Sequence, residues 1–251
     1  TAQQLIDTCQ VINDDFVTPE ESKITALSAK AVGYDDDLKA WKWYDGGYGG
    51  SCLEYVRKGP RGLVDGFYML QGGLRVRCDM MRDGGGWILF LRRADGSVDF
   101  DVGIEEYKRG FGNDVEFWLG LDDLHEVSAR LGSCELRNDI DFQDKWYYTK
   151  YGTFGVNGPA DKYRMSVAAF SGNIADKLSD HSNRQFSSFN YGPSLQCQPR
   201  FTGGWWYSGC HSFHPTGLYG SIEYGKGVND SGLSGQYASL QMIEMKFREY
   251  Q

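Results

Sequence analysis

The stretch CDMMRDGGGWILFLRRADGSVDF, residues 78–100, decides how this chain folds. Three consecutive glycines, Gly84 to Gly86, favour a turn with positive φ, because glycine has no Cβ to oppose that backbone conformation. The apolar run that follows, Trp87–Arg93, is typical of a buried strand, and the aspartate and glycine after it favour another turn. The stretch therefore predicts a strand held between two tight turns.

Downstream of this stretch, short helices and strands alternate with loops. Residues 104–110 and 121–131 have the pattern of short helices. The segments TKYGTFGV (149–156) and KYRMSVAAF (162–170) alternate like antiparallel strands. Residues from about 172 to 235 show almost no periodicity, and a loop region of that length is usually functional or held by a covalent link.

The first fifty residues differ from the rest of the chain. The segment QQLIDTCQVI spaces its apolar residues helically, and Thr18 and Pro19 have the pattern of an N-cap followed by the first helical residue. Strand-like runs begin only after the glycine-rich break GGYGG. We predict a helical N-terminal extension over residues 1–50 and a second domain over residues 51–251.

The composition favours a loop-rich domain with its own core. Of the 251 residues 41% are hydrophobic, and 33 glycines against 6 prolines favour tight turns and short strands. The formal net charge of −8, with 26 Lys and Arg dispersed along the sequence, argues against nucleic acid or an anionic membrane as a partner. No window approaches the roughly 18 apolar residues of a membrane span.

Six cysteines, at positions 9, 52, 78, 134, 197 and 210, lack the spacing of zinc sites. An even number without metal spacing indicates disulfides and an oxidising compartment, so we expect a secreted protein. The triplet Asn229-Asp230-Ser231 makes Asn229 a candidate glycosylation site and weakly supports secretion. The first ten residues lack the layout of a signal peptide, so we expect Thr1 to be a mature terminus or the terminus of an engineered chain.

Several long segments in a fixed order resemble one protein family. Residues 78–100, followed by EEYKRGFGNDVEFWLGLDDLH (105–125), closely resemble the signature of fibrinogen C-terminal domains. Residues 162–188 and 203–220 resemble later blocks of that family, and SLQMIEMKFR (239–248) resembles its last strand. The resemblance implies an α+β fold with a small N-terminal subdomain, a central antiparallel sheet with short flanking helices, and a loop-rich C-terminal lobe that binds ligands.

The resemblance also implies two disulfides, Cys52 with Cys78 and Cys197 with Cys210. Cys9 and Cys134 have no counterpart in the family pattern. We predict that they pair with each other and tie the N-terminal extension to the core. The alternative is an intermolecular bridge at Cys9 that builds a homo-oligomer.

Family members that act as lectins, such as ficolins and tachylectins, hold acetylated ligands in an apolar pocket beside a calcium-stabilised loop. This chain reads FSSFNYGPSLQC there, with Asn190, Gly192 and Ser194 at the positions of three family aspartates. Calcium needs several carboxylate and carbonyl oxygens, and this segment offers no carboxylate. We therefore predict no metal at the loop and no cofactor.

The pocket itself is better preserved. His211 follows Cys210 as in the Cys-His pair of the family, where the adjoining peptide is often cis. Tyr224 and Gly225 align with a Tyr-Ala pair, and Phe201 occupies a position filled by Phe or Tyr. The resemblance implies that these five residues bind the ligand.

Other pocket positions are altered. Gln236 stands where a second pocket tyrosine is expected, and Asp230 replaces a tryptophan. The neighbouring Tyr237 compensates only if the strand shifts register. Gln236 and Tyr237 are therefore both candidate ligand-binding residues, and the polar and acidic changes favour a hydroxylated sugar or a cationic peptide terminus over a plain acetyl group. We expect His214, on the same loop, to lie near the rim.

The remaining aromatic and histidine residues receive simpler interpretations. We expect Trp87 and Trp118 to pack in the core, and the pair Trp205 and Trp206 to lie near the pocket. His125 and His181 match ordinary family positions and are expected to be structural.

No catalytic motif is present. The chain contains neither GxSxG nor HExxH nor a phosphate-binding loop, and its acidic run around Asp99 and Asp101 is typical of a solvated face. The leading hypothesis is a lectin-like recognition protein of innate immunity that binds a glycan or acetylated ligand. The alternatives are a protein ligand of a cell-surface receptor, as in angiopoietin-like proteins, and a structural module that binds the N-terminus of a partner peptide.

Overall fold

The computed structural model describes residues 31–35, 40–44, 49–59 and 62–250. Strands β1 (Ala31–Asp35) and β2 (Ala40–Tyr44) form an antiparallel hairpin. The prediction of a helical extension is wrong for this segment, because its valine, tyrosine and tryptophan residues favour strands. The helical pattern before residue 31 lies outside the described residues, so the domain division stays a prediction.

The main sheet is antiparallel throughout, and within the described residues it has nine strands. Its strands are β3 (Gly66–Met69), β4 (Arg75–Asp79), β5 (Trp87–Arg93), β6 (Phe111–Gly112), β7 (Phe117–Trp118), β8 (Cys134–Phe142), β9 (Lys145–Val156), β10 (Met165–Gly172) and β13 (Met242–Glu249). The long path of the sheet runs in the order β10-β9-β8-β13-β5-β4-β3, and β6 and β7 pair beside β5.

Short helices flank the sheet. They are α1 (Cys52–Lys58), α2 (Ile104–Arg109), α3 (Leu121–Leu131) and α4 (Gln198–Phe201). Both helices predicted after residue 100 are present, and the predicted antiparallel sheet with short flanking helices is confirmed. No helix in the described part of the chain is long and apolar enough to cross a membrane.

The triple-glycine turn has the predicted conformation. Gly84, Gly85 and Gly86 have φ values of 84°, 71° and 79°. A Cβ on Gly85 would lie 2.1 Å from the Met80 carbonyl oxygen, and one on Gly86 would lie 2.6 Å from the Leu53 Cα. Larger residues therefore cannot replace these two glycines without moving the backbone.

The strand β13 lies between β5 and β8, with Ile243 opposite both Arg93 and Ile140. Two of its basic side chains hold the glycine turn. The Arg248 guanidinium donates to the carbonyl oxygens of Asp83 and Gly85 at 2.9 and 2.6 Å. The segment that decides the fold is thus fixed by a strand more than 150 residues further along the chain.

The second basic side chain, Lys246, is fully buried and forms ion pairs with Asp79 and Asp139. Asp79 also accepts hydrogen bonds from the backbone N–H groups of Met81 and Arg82, at the start of the turn. Burial alone would raise the pKa of Asp79, but the Lys246 ammonium and these N–H groups together hold that pKa below its usual value. The three charges therefore form one buried unit that joins β4, β8 and β13.

Two disulfides link the described residues, and one cysteine is free. Cys52 is bonded to Cys78, which ties α1 to β4, and Cys197 is bonded to Cys210 in the C-terminal lobe. The predicted bridge between Cys9 and Cys134 is not formed, because Cys134 is a buried free cysteine whose Sγ lies 3.8 Å from the Ser128 carbonyl oxygen. Cys9 lies outside the described residues.

The C-terminal lobe, residues 173–241, is built mainly of loops. Its one strand pair in the described residues joins β11 (Phe213–His214) to β12 (Asn229–Asp230). This low content of regular structure agrees with the absence of periodicity in the sequence. The lobe therefore depends on side-chain contacts and its disulfide for its shape.

Replacing Lys246 tests the buried ionic unit. We expect Lys246→Met to lower the free energy of unfolding by about 3–5 kcal/mol, because it leaves the buried Asp79 without its cation and leaves Asp139 with the Arg137 guanidinium as its close cation. Urea unfolding measures this loss. The matched control is Lys226→Met, which removes an exposed pair with Glu223 and should cost no more than about 1 kcal/mol. Equal losses in the two variants would contradict the assignment.

Candidate functional site

The disulfide Cys197–Cys210 brings together two residues that the sequence places ten positions apart. Phe201 is the last residue of α4, which begins just after Cys197, and His211 directly follows Cys210. The two rings meet nearly perpendicular, with centroids 4.6 Å apart. This contact is the centre of the candidate site, and it joins two of the predicted ligand-binding residues.

Gly225 faces the same two rings. A Cβ on Gly225 would lie 2.6 Å from Phe201 Cε1 and 3.3 Å from His211 Nε2, and the residue has a φ of 69°. Its N–H donates to the Gln236 carbonyl oxygen at 2.7 Å. Gln236 thus holds the loop through its backbone.

Tyr237 and Tyr224 form the exposed edge of the site. Their rings pack edge to face with centroids 5.4 Å apart, and the ring centroid of Tyr224 lies 6.5 Å from that of Phe201. Tyr237 is 67% exposed and Tyr224 is 50% exposed. Tyr237 therefore contacts Tyr224, which in turn lies near Phe201, so the three predicted aromatic residues are neighbours.

His211 is a neutral side chain at physiological pH. Burial, with a smaller contribution from nearby His181, lowers its pKa to about 4, although the Gly225 backbone acts in the opposite direction. Both ring nitrogens are buried, and neither makes a hydrogen bond of normal geometry to the described residues. The imidazole therefore has one donor and one acceptor without a partner in the described part of the chain.

His214 is not at the rim, and that expectation is wrong. It is fully buried and stacks on His211 with centroids 4.3 Å apart. Its Nε2 lies 3.2 Å from the Tyr207 hydroxyl. Burial lowers the pKa of His214 well below its ordinary value, and His211 lowers it further. His214 therefore packs against His211 as a buried, neutral ring.

His181 positions the loop that carries His211. Its Nδ1–H donates to the Trp206 carbonyl oxygen at 2.8 Å, and its Nε2 accepts from the N–H groups of Ser212 and Phe213 at 3.3 and 3.2 Å. Burial lowers the pKa of His181 to about 4, so it keeps this tautomer at neutral pH. The expectation of a structural histidine fits this geometry.

The backbone at Cys210 is unusual. Its φ is 84°, a region that residues with a Cβ rarely adopt. No peptide bond in the described residues is cis, so the family feature of a cis bond beside the Cys-His pair is not present here. The positive φ at Cys210 turns the chain ahead of His211.

A polar cleft of about 480 Å³ opens on another side of His211. Its other lining residues are Ser179, Asp180, Ser182, Arg184, Ser208, Gly209 and Ser212. The Ser212 hydroxyl lies 2.7 Å from an Asp180 carboxylate oxygen, while the exposed Arg184 side chain forms no ion pair within the described residues. Sequence reasoning missed this cleft, because serines in a loop carry no motif.

The loop aligned with the family calcium site is held by protein contacts. Asn190 Oδ1 accepts from the Ile104 N–H at 3.1 Å and so caps the start of α2. The Ser194 N–H donates to the Ser187 hydroxyl, and Gly192 has a φ of 91°. The basis for predicting no calcium here is unchanged, because the loop has no carboxylate.

The described residues contain one group of acidic side chains close enough to hold a metal, Asp79, Asp139 and Glu244. The Lys246 ammonium pairs with all three carboxylates. Arg137 also pairs with Asp139, and Arg92 pairs with Glu244, so three protein cations already serve these three carboxylates.

Asp230 and Asn229 are buried within the C-terminal lobe. Asp230 is buried, and its Oδ1 accepts from the N–H groups of Gly232 and Leu233, so its proposed role toward a cationic ligand is not supported. Burial raises its pKa to about 6, although these N–H groups act in the opposite direction. Asn229 is fully buried beside His214 in the strand pair, and this burial opposes glycosylation there, which stays a prediction.

The two tryptophans near the site are part of the buried core that supports its loop. Trp205 and Trp206 are both fully buried, and the Trp206 indole N–H donates to the Tyr163 carbonyl oxygen at 2.7 Å. They lie beneath the loop, and neither side chain is exposed. Trp87 and Trp118 lie in the core, as predicted.

Known proteins resemble the chain over most of its length. The family described as fibrinogen beta and gamma chains, C-terminal globular domain, matches residues 48–250. Tenascin of Gallus gallus is 39% identical over 179 residues, which are 70% of this chain and 10% of that protein. Tenascin-R of Mus musculus is 37% identical over 209 residues, 79% of this chain and 15% of that protein. The chain thus spans about a seventh or less of these relatives.

Solved structures share the fold. The fibrinogen-like globe domain of human ANGPTL6 matches with a TM-score of 0.75 at 31% identity, covering 82% of this chain and 97% of that one. Lamprey fibrin D-dimer, complexed with the peptide ligand Gly-His-Arg-Pro-amide, matches with a TM-score of 0.70 over 100% of this chain and 90% of that one. Its 24% identity shows a shared fold alone. Members of this family are non-enzymatic binding proteins. The chain belongs to the family of fibrinogen C-terminal globular domains and is a binding module, not an enzyme.

Proposed function

We propose that this chain is a secreted recognition domain that binds a glycan or another acetylated ligand at the site around His211. The observation that carries the proposal is the position of His211 between two surfaces of different chemistry. On one side are the rings of Phe201, Tyr224 and Tyr237, and on the other is the polar cleft. A ligand with an apolar substituent and several hydroxyl groups would satisfy both.

The aromatic side suits an acetyl methyl group or the C–H face of a sugar ring. Phe201 is buried, whereas Tyr224 and Tyr237 are exposed and can contact a ligand. A neutral His211 can donate to or accept from the amide of an acetyl group without the cost of burying a charge. Neutrality at this position therefore favours an uncharged ligand group over an ion.

The cleft side suits sugar hydroxyls. It offers the hydroxyls of four serines, Ser179, Ser182, Ser208 and Ser212, besides one carboxylate and one guanidinium. Sugar hydroxyls lose their hydrogen bonds to water when they enter this cleft. The protein must supply donors and acceptors in their place, because unpaired polar groups lower the affinity. The mixture provides both kinds of partner within one cavity.

A protein ligand of a cell-surface receptor is the second candidate. Leu218 is 53% exposed and Ile222 is 77% exposed, on the loop that leads to Tyr224. Exposed apolar side chains that adjoin one another are typical of protein-binding surfaces. The third reading, a module that binds a peptide N-terminus as lamprey fibrin binds its peptide, loses support because Asp230 is engaged by its own turn.

We further propose an extracellular setting, which two disulfides favour. Single sugar sites are usually weak, so presentation of several copies in a homo-oligomer would raise avidity and would suit a role in innate immunity. Binding should not require calcium. Addition of EDTA is expected to leave the affinity for a bound glycan unchanged, and a loss of binding restored by calcium would contradict this.

A glycan array separates the two leading candidates. We expect saturable binding to at least one N-acetylated glycan, reduced at least ~10-fold in His211→Ala, a loss of about 1.4 kcal/mol or more. Arg184→Ala should also weaken binding, and because its side chain is exposed we expect the fold to tolerate the change.

The matched control is Ile222→Ser, which alters the exposed apolar loop and should leave glycan binding intact. A thermal unfolding midpoint for each variant excludes loss of the fold. Failure of every glycan to bind the folded protein would favour the receptor reading.

Acid should disable the site. The pKa of His211 is lowered to about 4 from 6.5 by burial, so the stability that its neutral form provides is complete above pH 6.5 and is lost as the pH falls toward 4. His181 changes in the same direction. We expect glycan affinity, followed by a binding titration at each pH on the folded protein, to be nearly constant between pH 8 and 5.5 and to fall only as the pH approaches 4. A fall in affinity that begins near pH 6.5 would show an ordinary histidine pKa and would contradict a neutral, buried His211.

A further inference from the structure

Three arginines converge on a small pocket that shares no residue with the His211 site. The pocket has a volume of about 220 Å³, and its lining includes Arg75, Arg77 and Arg109. In the sequence the basic residues are dispersed, but here the fold gathers three of them. The chain has a formal net charge of −8, so this pocket is a basic region on an acidic protein.

The strand and helix pattern explains the convergence. Arg75 and Arg77 alternate with the buried Val76 along β4, so both project from the same face of the sheet. Arg109 is the last residue of α2, where a cation also interacts favourably with the helix dipole. The pocket lies where these two elements meet β6 and β7.

The side chain of Phe67 holds two guanidinium groups in place. The Arg75 Cζ lies 3.6 Å from the ring centroid, and the Arg77 Cζ lies 5.8 Å from it. A guanidinium that stacks on an aromatic ring keeps the N–H groups at its planar edge available, and those edges match a carboxylate. The ring therefore orients donors before any ligand arrives.

The nearby carboxylates neutralise the pocket only in part. Arg75 lies 3.4 Å from an Asp114 carboxylate oxygen, and both side chains are largely exposed. Arg109 lies 3.9 Å from Glu106. Arg77 donates to a backbone carbonyl oxygen, that of Asp114, at 2.7 Å. Exposed pairs at such distances are weak, so a ligand carboxylate can compete for the guanidinium groups.

We propose that this pocket binds an acidic side chain, Glu or Asp, of a peptide segment in a protein partner. The volume suits one side chain, and the half-buried ring of Phe111 can contact its methylene groups. Asp114 and Glu106 at the rim would repel neighbouring negative charges. They therefore favour a single acidic residue over a polymer that carries charge at every unit, such as a sulfated polysaccharide.

Side-chain NMR tests the proposal directly. The probe is a blocked pentapeptide, Gly-Leu-Glu-Leu-Gly, added to ¹⁵N-labelled protein at low salt, and the control peptide has Gln in place of Glu. We expect saturable shifts of the Nε–H signals of Arg75, Arg77 and Arg109 with the Glu peptide, with a Kd on the order of 1 mM or tighter. No saturable shift, or equal shifts with the Gln peptide, would overturn the proposal.

Charge variants locate the interaction. Arg109→Gln should weaken the Glu peptide at least ~5-fold, because it removes one of three charged donors. Its side chain is 72% exposed, so the fold should tolerate the change. The matched control is Arg57→Gln, an exposed arginine on α1 that does not line the pocket, which should change the Kd by less than ~2-fold at the same net charge.

A sulfated oligosaccharide provides the competing outcome. A heparin hexasaccharide that binds at least ~10-fold tighter than the Glu peptide, and loses binding in Arg109→Gln, would overturn the acidic-peptide assignment in favour of a polyanion. Binding of the hexasaccharide no tighter than the peptide supports the proposal. Because the pocket is separate from His211, neither result alters the outcome of the glycan array.

Discussion

The buried ammonium of Lys246 is the constraint on which the rest of the fold depends. A cation without exposure costs several kcal/mol of lost hydration unless carboxylates lie beside it, so β13 must place Lys246 next to Asp79 and Asp139. Asp79 in turn accepts the N–H groups that begin the glycine turn, and Arg248 on the same strand donates to the carbonyl oxygens of that turn. The ionic unit thus joins the strand β13 to the segment that decides the fold.

The binding lobe follows a different principle. Within the described residues it has one short strand pair, and it depends on the disulfide Cys197–Cys210 and on the two hydrogen-bonding nitrogens of His181 to hold its loops. A rigid sheet that supports loosely patterned loops allows the ligand site to change without loss of the fold. The altered residues of this lobe fit that separation, since Gln236 keeps its contact through a backbone carbonyl that any residue could supply.

Local patterns predicted the fold better than the site. The helix Leu121–Leu131 and the glycine turn follow from spacing and φ preferences of neighbouring residues, and both are present. The burial of Asn229 arises instead from pairing with a loop some fifteen residues away, which no local pattern records. The basic pocket was missed for the same reason, because Arg77 and Arg109 meet only when β4 and α2 come together.

A double-mutant cycle on Asp79 and Lys246 tests the central claim most directly. Urea unfolding of the unaltered chain, Asp79→Asn, Lys246→Met and the double variant gives the coupling free energy between the two side chains. If the buried unit organises the fold, the double variant loses less stability than the two single losses added together, by at least ~1.5 kcal/mol. Additive losses, equal within about 0.5 kcal/mol, would show that the two charges act independently and would contradict the account.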